Sequence, residues 1–495
     1  MNHKPTPEQE RIFLFTKKRP ENILIKAFAG AGKTSTIVEA VKLLPVDKSI
    51  MFLAFNKHIQ EELKTKLPEH VRCYTTYGLG TSAIKRKYGD KIEFDEFKAD
   101  KIILKKSKSW DLHDEFKDEE EISFYLNNIK KLANLCRLTL TTKPEYVPYL
   151  TERYDIPLGK PKDIKRVLKV LDAMSTDRDT FDYTDMIYLP AIDNSIWFFP
   201  QDYVFVDEVQ DLNRCQIKII EKVLKRNRTT KKLEGRLICV GDFFQGIYGF
   251  NAADEKSFEW FEKFPNTKVL PLSVSFRCSQ AVIRKAQEIV PDIKALPDAP
   301  EGCVRDGDVI AEAQSGDFIL CRTTMPLVKL FFEFLTQRKK AVIKGSDIGV
   351  HLIELIGKIN NLSKLVTFWE TELSNFKKDL KAEGILNPSE HSGYSALEDK
   401  VMTLLFLAKL SDSVADLKYK IKSIFTDEIQ GIVLSTVHKI KGLEANRVFI
   451  VRPDLLPMKN VKPWQYLQEK NLEYVAITRA KLELIYDRTW TDENS

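Results

Sequence analysis

The sequence predicts an α/β protein with parallel sheets in two domains, each interrupted by a mainly helical insertion. Three observations predict it. Between 22 and 66 the text alternates apolar strand (23–27), glycine turn, helix (34–44), strand (50–55) and helix (58–66), the order of parallel α/β units. Strand text returns at Tyr203–Val206, 237–240 and 268–272, after a charged, helix-patterned stretch at 89–175. A second α/β region opens at Phe318-Ile319-Leu320, gives way to polar helical text, and resumes at 431–435 and 447–451. The expected division is 1–88 and 176–277 for the first domain, with insertion 89–175. The second takes 278–355 and 426–495, with insertion 356–425.

A chain of 495 residues has room for several domains. Its 30% charged and 43% hydrophobic content describes a soluble globular protein. A net charge of +6 permits a basic groove without demanding one. The seven cysteines form no Cys-x-x-Cys pair and stand near no histidine pair. That argues against zinc or an iron–sulfur cluster and for single buried thiols in a reducing compartment. The opening MNHKPTPEQERIF has no apolar signal core, and the apolar stretch at 401–410 is broken by Thr403 and Lys409. The expectation is a cytoplasmic protein of a bacterium or phage-infected cell, with no membrane contact.

The first candidate site is the run Ala27-Phe28-Ala29-Gly30-Ala31-Gly32-Lys33-Thr34, between a strand and a helix. Gly30 and Gly32 let the backbone curl so that its N–H groups face phosphate oxygens, and the helix N-terminus adds a favourable dipole. Lys33 is expected to reach the β- and γ-phosphates of ATP, and Thr34 to ligate Mg²⁺. Ala29, Ala31 and Ser35 complete the cradle. Gly-Lys-Thr in register between strand and helix favours phosphate binding over a structural turn, but nucleotide kinases and transporters share it.

Tyr203–Val206 is apolar and β-branched and ends in Asp207-Glu208. A carboxylate at such a tip suits Mg²⁺, here Asp207. A second can orient and deprotonate water, here Glu208. The strand at 237–240 runs into Gly241-Asp242-Phe243-Phe244-Gln245-Gly246-Ile247-Tyr248-Gly249-Phe250. Gln245 is placed to sense the γ-phosphate. Tyr248 and Phe250 are aromatic groups on which unstacked bases can rest.

With these motifs in order, the chain resembles the UvrD/Rep-like helicases of superfamily 1, subgroup A. Further matches are Pro7-Glu8-Gln9, Ala54-Phe55-Asn56-Lys57, Thr75-Thr76-Tyr77-Gly78 and Phe276-Arg277. The two strongest are Thr436-Val437-His438-Lys439-Ile440-Lys441-Gly442-Leu443-Glu444 and Tyr474-Val475-Ala476-Ile477-Thr478-Arg479-Ala480. The wording at Ala27-Phe28-Ala29-Gly30, Phe55-Asn56-Lys57 and Ser275-Phe276-Arg277 looks closest to the helicase core of F-box DNA helicases and related phage proteins. The resemblance implies two RecA-like P-loop domains with ATP in the cleft between them. It implies that Gln9 reads adenine, Phe276 stacks on it, and Glu444 holds the ribose. Arg277 and Arg479 would touch the γ-phosphate and stabilise spreading charge. Phe55, Asn56, Lys57, Thr76, Tyr248, Phe250 and His438 would contact DNA, with 3′ to 5′ polarity. Asp182-Tyr183-Thr184-Asp185-Met186 resembles a family element packed below the ATP core and is read as structural.

The function expected is an ATP-dependent DNA helicase acting on single-stranded DNA and single/double-strand junctions, with a protein partner in repair, replication, recombination or defence. The 356–425 insertion is small beside the regulatory subdomain of the large bacterial members. That keeps a second reading open: a DNA-activated ATPase serving as sensor or regulatory subunit of a partner complex, without efficient unwinding.

Overall fold

Runs such as Ile50-Met51-Phe52-Leu53-Ala54 are apolar at every position because helices cover both faces of a parallel sheet. In the computed structural model all five of these residues are buried. It describes residues 4–247, 249, 253–254, 256–357, 359–382, 388, 391–459 and 461–490. The chain forms two units, Met1–Ala27 with Gly32–Leu272 and Phe28–Ala31 with Ser273–Ser495.

In the first unit the strands are β1 (Asn22–Ala27), β2 (Ile50–Ala54), β3 (Arg72–Thr75), β4 (Glu93–Phe94), β5 (Thr180–Phe181), β6 (Tyr203–Val206), β7 (Arg236–Gly241) and β8 (Thr267–Leu272). Six build one parallel sheet in the order β3-β2-β6-β7-β1-β8, and β4 pairs with β5. Register sets Lys26 beside Gly241 and Val206 beside Cys239. The carboxyl ends of β1, β7 and β6 therefore lie side by side, although their residues are far apart in sequence. Ligands of open α/β sheets bind at this edge.

The first insertion is helical at Lys98–Ser107, Glu119–Leu138, Val147–Arg153 and Pro161–Thr176. Pro161 opens the last of these at a position where its missing N–H costs nothing. Val167, Val170, Leu171 and Met174 then recur at helical spacing and are buried. They share one core with Leu53, Leu79 and Val206 of the sheet layer.

A buried ion cluster ties this insertion to the segment at 182–185. Arg137 grips Asp182 with two bonds of 2.6 Å and reaches Asp185 at 2.6 Å. Lys98 donates to Asp185 at 2.8 Å and to the Thr180 carbonyl at 2.8 Å. Two acids and two bases balance in a region where none would be stable alone.

The helices Thr76–Tyr88 and Asp185–Ile192 approach closely at Gly80, where a Cβ would stand 1.7 Å from the Met186 carbonyl oxygen. Gly80→Ala is therefore expected to cost about 1–3 kcal/mol by forcing the helices apart, measured as a lower urea midpoint.

The second unit carries β9 (Val274–Ser275), β10 (Lys294–Ala295), β11 (Cys303–Asp306), β12 (Phe318–Cys321), β13 (Ala341–Lys344), β14 (Phe425–Thr426), β15 (Ile432–Thr436), β16 (Ala445–Val451) and β17 (Ala480–Asp487). Seven form a parallel sheet in the order β11-β17-β16-β12-β15-β13-β14. Ile319, Ile343, Leu434, Phe449 and Ile485 lie in its core. The insertion here comprises Leu362–Ala382, Ser392–Lys409 and Val414–Ile424. Asp399 fastens it to the α/β part by accepting the N–H groups of Thr324 and Met325, each at 2.9 Å. The α/β class with parallel sheets in two units agrees with the sequence prediction.

All seven cysteines are free thiols, and all but Cys303 are buried. Among the described residues no helix is long and apolar enough to cross a membrane.

Candidate active site

The turn after β1 curls through two left-handed glycines, Gly30 at φ 70° and Gly32 at φ 73°, a conformation that a side chain would strain. Gly32 caps the helix Lys33–Lys42, so Lys33 and Thr34 stand in its first turn. Ala29 and Ala31 are buried and Ser35 is exposed.

In the first unit, Lys33 Nζ lies 3.2 Å from Glu208 Oε1, and Thr34 Oγ1 donates to Asp207 Oδ2 at 3.0 Å. Burial opposes the charge of Lys33, but Glu208, Asp242 and Asp207 outweigh it and raise its pKa. Asp207 is pushed up to about 7, mainly by burial and then by the Glu208 charge. Glu208 adopts a left-handed φ of 52°, an uncommon conformation for a residue with a side chain. That sharp exit from β6 turns it toward Lys33.

Two residues without an assigned role in the sequence reading join this cluster. Gln210 donates to Glu208 and accepts the Asp242 N–H at 3.0 Å. Asp242, at the end of β7, is fully buried, and burial lifts its pKa to about 6. Its carboxylate accepts Gln245 Nε2 at 2.8 Å. A chain of contacts thus runs from Lys33 through Glu208, Gln210 and Asp242 to Gln245. The available signal was the pair of short motifs themselves, Asp207–Asp211 and Gly241–Gln245. Their linkage depends on β7 lying between β1 and β6.

Gln9 is buried and has two defined partners. It closes a capping box with Thr6 and donates to Thr36 Oγ1 at 3.0 Å. Phe55 is half-buried. Asn56 caps the helix Lys57–Lys64 by accepting the Ile59 N–H at 2.9 Å. Lys57 is exposed, 3.9 Å from Glu61. Thr76 is buried and accepts Gln216 Nε2 at 2.8 Å. Tyr248 and Phe250 lie outside the described residues.

Within the second unit, Arg277 pairs with Glu444 and donates to the Thr478 carbonyl at 3.1 Å. Lys481 reaches the other Glu444 oxygen at 2.8 Å. Burial alone would raise the Glu444 pKa, but the two cations hold it below the ordinary value. Arg479 is buried and donates to the carbonyls of Val475 at 3.0 Å and Leu443 at 3.1 Å. Burial, and next the Arg277 charge, lower its pKa to about 9. The Phe276 N–H donates to the Gly30 carbonyl at 2.9 Å, and the Ala29 N–H to the Tyr474 hydroxyl at 2.9 Å. Tyr474 opens a recognised motif and had no assigned role.

His438 is half-buried. Burial, with Arg322 and Lys439 nearby, lowers its pKa to about 3. The folded imidazole stays neutral where an unfolded one, near 6.5, takes up a proton. Stability is therefore lost as pH falls below about 6.5. His438→Gln is expected to flatten that loss, by roughly 1–2 kcal/mol near pH 5, in melting midpoints followed against pH.

A six-stranded parallel sheet with a glycine turn at one strand end and paired carboxylates at another defines a P-loop nucleotide-binding unit. Comparison with known proteins carries this further. Residues 6–266 match the family model of the UvrD/REP helicase N-terminal domain, and residues 322–489 that of the UvrD-like helicase C-terminal domain. The chain belongs to the UvrD/REP helicase family. It is 25% identical over 543 residues to F-box DNA helicase protein 1 of Schizosaccharomyces pombe, covering 99% of this chain and 58% of that protein. It is 25% identical over 529 residues to F-box DNA helicase 1 of Gallus gallus, covering 98% and 49%. With the ATP-dependent DNA helicase PcrA of Bacillus subtilis it shares 24% identity over 293 residues, covering 54% and 37%. The chain spans about half the length of the two F-box relatives.

Proposed function

We propose that this chain is an ATP-dependent DNA helicase that moves 3′ to 5′ on single-stranded DNA and couples ATP hydrolysis to strand separation. The observation that carries the reading is the cluster at adjoining strand ends, Lys33 with Glu208 and Thr34 with Asp207, in a chain of this family. A left-handed glycine turn at a helix N-terminus fits triphosphate. A hydroxyl and a carboxylate 3.0 Å apart fit a hard, oxygen-seeking cation such as Mg²⁺. ATP supplies the phosphoanhydride bond whose cleavage drives the cycle, and Mg²⁺ would neutralise charge on its oxygens.

In this reading Lys33 neutralises the β- and γ-phosphates, and Thr34 and Asp207 hold the cation. Glu208 accepts the proton of the attacking water, and Gln245 reports on the γ-phosphate. Phe276 stacks on adenine, Gln9 reads its edge, and Glu444 holds the ribose once it exchanges its cationic partners. Arg277 and Arg479 stabilise charge on the transferred group. Phe55, Asn56, Lys57, Thr76, Tyr248, Phe250 and His438 serve DNA binding.

The test is ATP-dependent strand displacement on duplexes with a 3′ or a 5′ single-stranded tail, with Lys33→Ala as control. Displacement of the 3′-tailed duplex alone is expected. Single-stranded DNA that stimulates ATP hydrolysis without displacement on either duplex would replace the helicase with a DNA-activated sensor or regulatory ATPase.

A further inference from the structure

The amino ends of the first unit's strands carry an aromatic and cationic cluster that the ATP chemistry does not use. Trp197 and Phe199 lie on the segment leading into β6, about half exposed, with ring centroids 4.9 Å apart in an edge-on arrangement. The Arg86 guanidinium sits 4.8 Å from the Trp197 ring and 4.6 Å from the Phe199 ring, and donates to the Trp197 carbonyl at 2.8 Å. Arg72, at the start of β3, lies 5.9 Å from the Phe199 ring. Beside them opens a hollow of about 270 Å³ lined by Ser49, Ile50, His70, Arg72, Phe199, Pro200 and Gln201. It lies at the opposite end of the strands from Lys33 and Asp207.

Two features specify an occupant. No carboxylate lines the hollow, and the Arg72 and His70 side chains have no ion-pair or hydrogen-bond partner among the described residues. The neighbouring acids are engaged, Asp202 with Ser49 and Lys225 and Asp193 with Lys87. The site therefore asks for negative charge. Ile50, Phe199 and Pro200 offer an apolar wall of side-chain size. Gln201 is buried and forms part of the floor.

We propose that this surface docks an acidic peptide segment of a partner protein, with one apolar side chain in the hollow and carboxylates on Arg72 and Arg86. Arg86 occupies faces of Trp197 and Phe199 that a stacked base would need. Exposed tryptophan and arginine around a small hollow is the composition of a protein-binding hot spot.

The test is fluorescence anisotropy of a labelled short peptide of aspartates around a single phenylalanine, against its lysine-for-aspartate counterpart. The acidic peptide alone is expected to bind. Arg72→Glu and Arg86→Glu should each weaken it by about tenfold or more, and Trp197→Ala should weaken it too, with ATP hydrolysis unchanged. Absence of acidic-peptide binding, or binding indifferent to both charge reversals, overturns the proposal. So does loss of oligo(dT) binding in these variants with no peptide bound, which would assign the surface to nucleic acid.

Discussion

Glu208→Gln is expected to lower ATP turnover by about 10²–10⁴-fold, the range a positioned general base contributes, while ATP and DNA still bind. The amide keeps the size of the carboxylate and can still bond Gln210, although the ion pair with Lys33 is lost. Lys33 keeps Asp207 and Asp242 as negative neighbours and stays charged for phosphate. Beyond that pair, the variant loses the carboxylate that the proposed mechanism uses to take a proton from water. Nucleotide affinity by fluorescence titration and single-turnover hydrolysis separate the two effects. Turnover at the wild-type rate would remove Glu208 from the role of base and turn attention to Asp242, another buried carboxylate of the same cluster.

Arg137→Met is expected to destabilise the first unit by about 3–5 kcal/mol, the cost of breaking a buried ion pair from one side. The methionine fills much of the space, so the loss is electrostatic. Asp182 and Asp185 are left buried, with Lys98 as the remaining cation of the cluster. Arg137→Lys restores charge without the two-pronged grip on Asp182 and should recover only part. Hydrogen exchange is the suitable readout, because loss should concentrate in Lys98–Ser107 and Glu119–Leu138, the helices that the cluster anchors. Unchanged protection there would mean that the shared apolar core holds the insertion without help from the ions.

Much of the fold and part of the site were legible before any coordinates. The strand at Tyr203–Val206 was delimited to the residue, and those around 23–27, 237–240 and 447–451 to within two. A strand buried on both faces is a short apolar run closed by polar turns, a property of neighbouring residues. Gly30, Gly32, Lys33 and Thr34 are equally local, since one strand–turn–helix carries them all.

Several side chains could be placed on the chain but not among their partners. Gln9, Asn56 and Thr76 sit in recognised motifs, yet each spends hydrogen bonds on Thr36, Ile59 or Gln216. Which polar group meets a given donor depends on what other segments bring within about 3 Å.

The sequence by itself determined that this is a two-unit α/β protein with a glycine turn between strand and helix and a pair of carboxylates at a strand end. Those follow from apolar periodicity and from turn chemistry, which act over a few residues. Only the tertiary structure decided that β7 lies between β1 and β6, bringing Asp242 and Gln210 into the cluster with Lys33 and Glu208. It alone gathered Lys98, Arg137, Asp182 and Asp185 into one buried cluster, and Arg72 and Arg86 around Trp197 and Phe199. Strand order and side-chain meetings across long loops are settled by packing and burial of the whole unit, to which no single stretch of sequence holds the key.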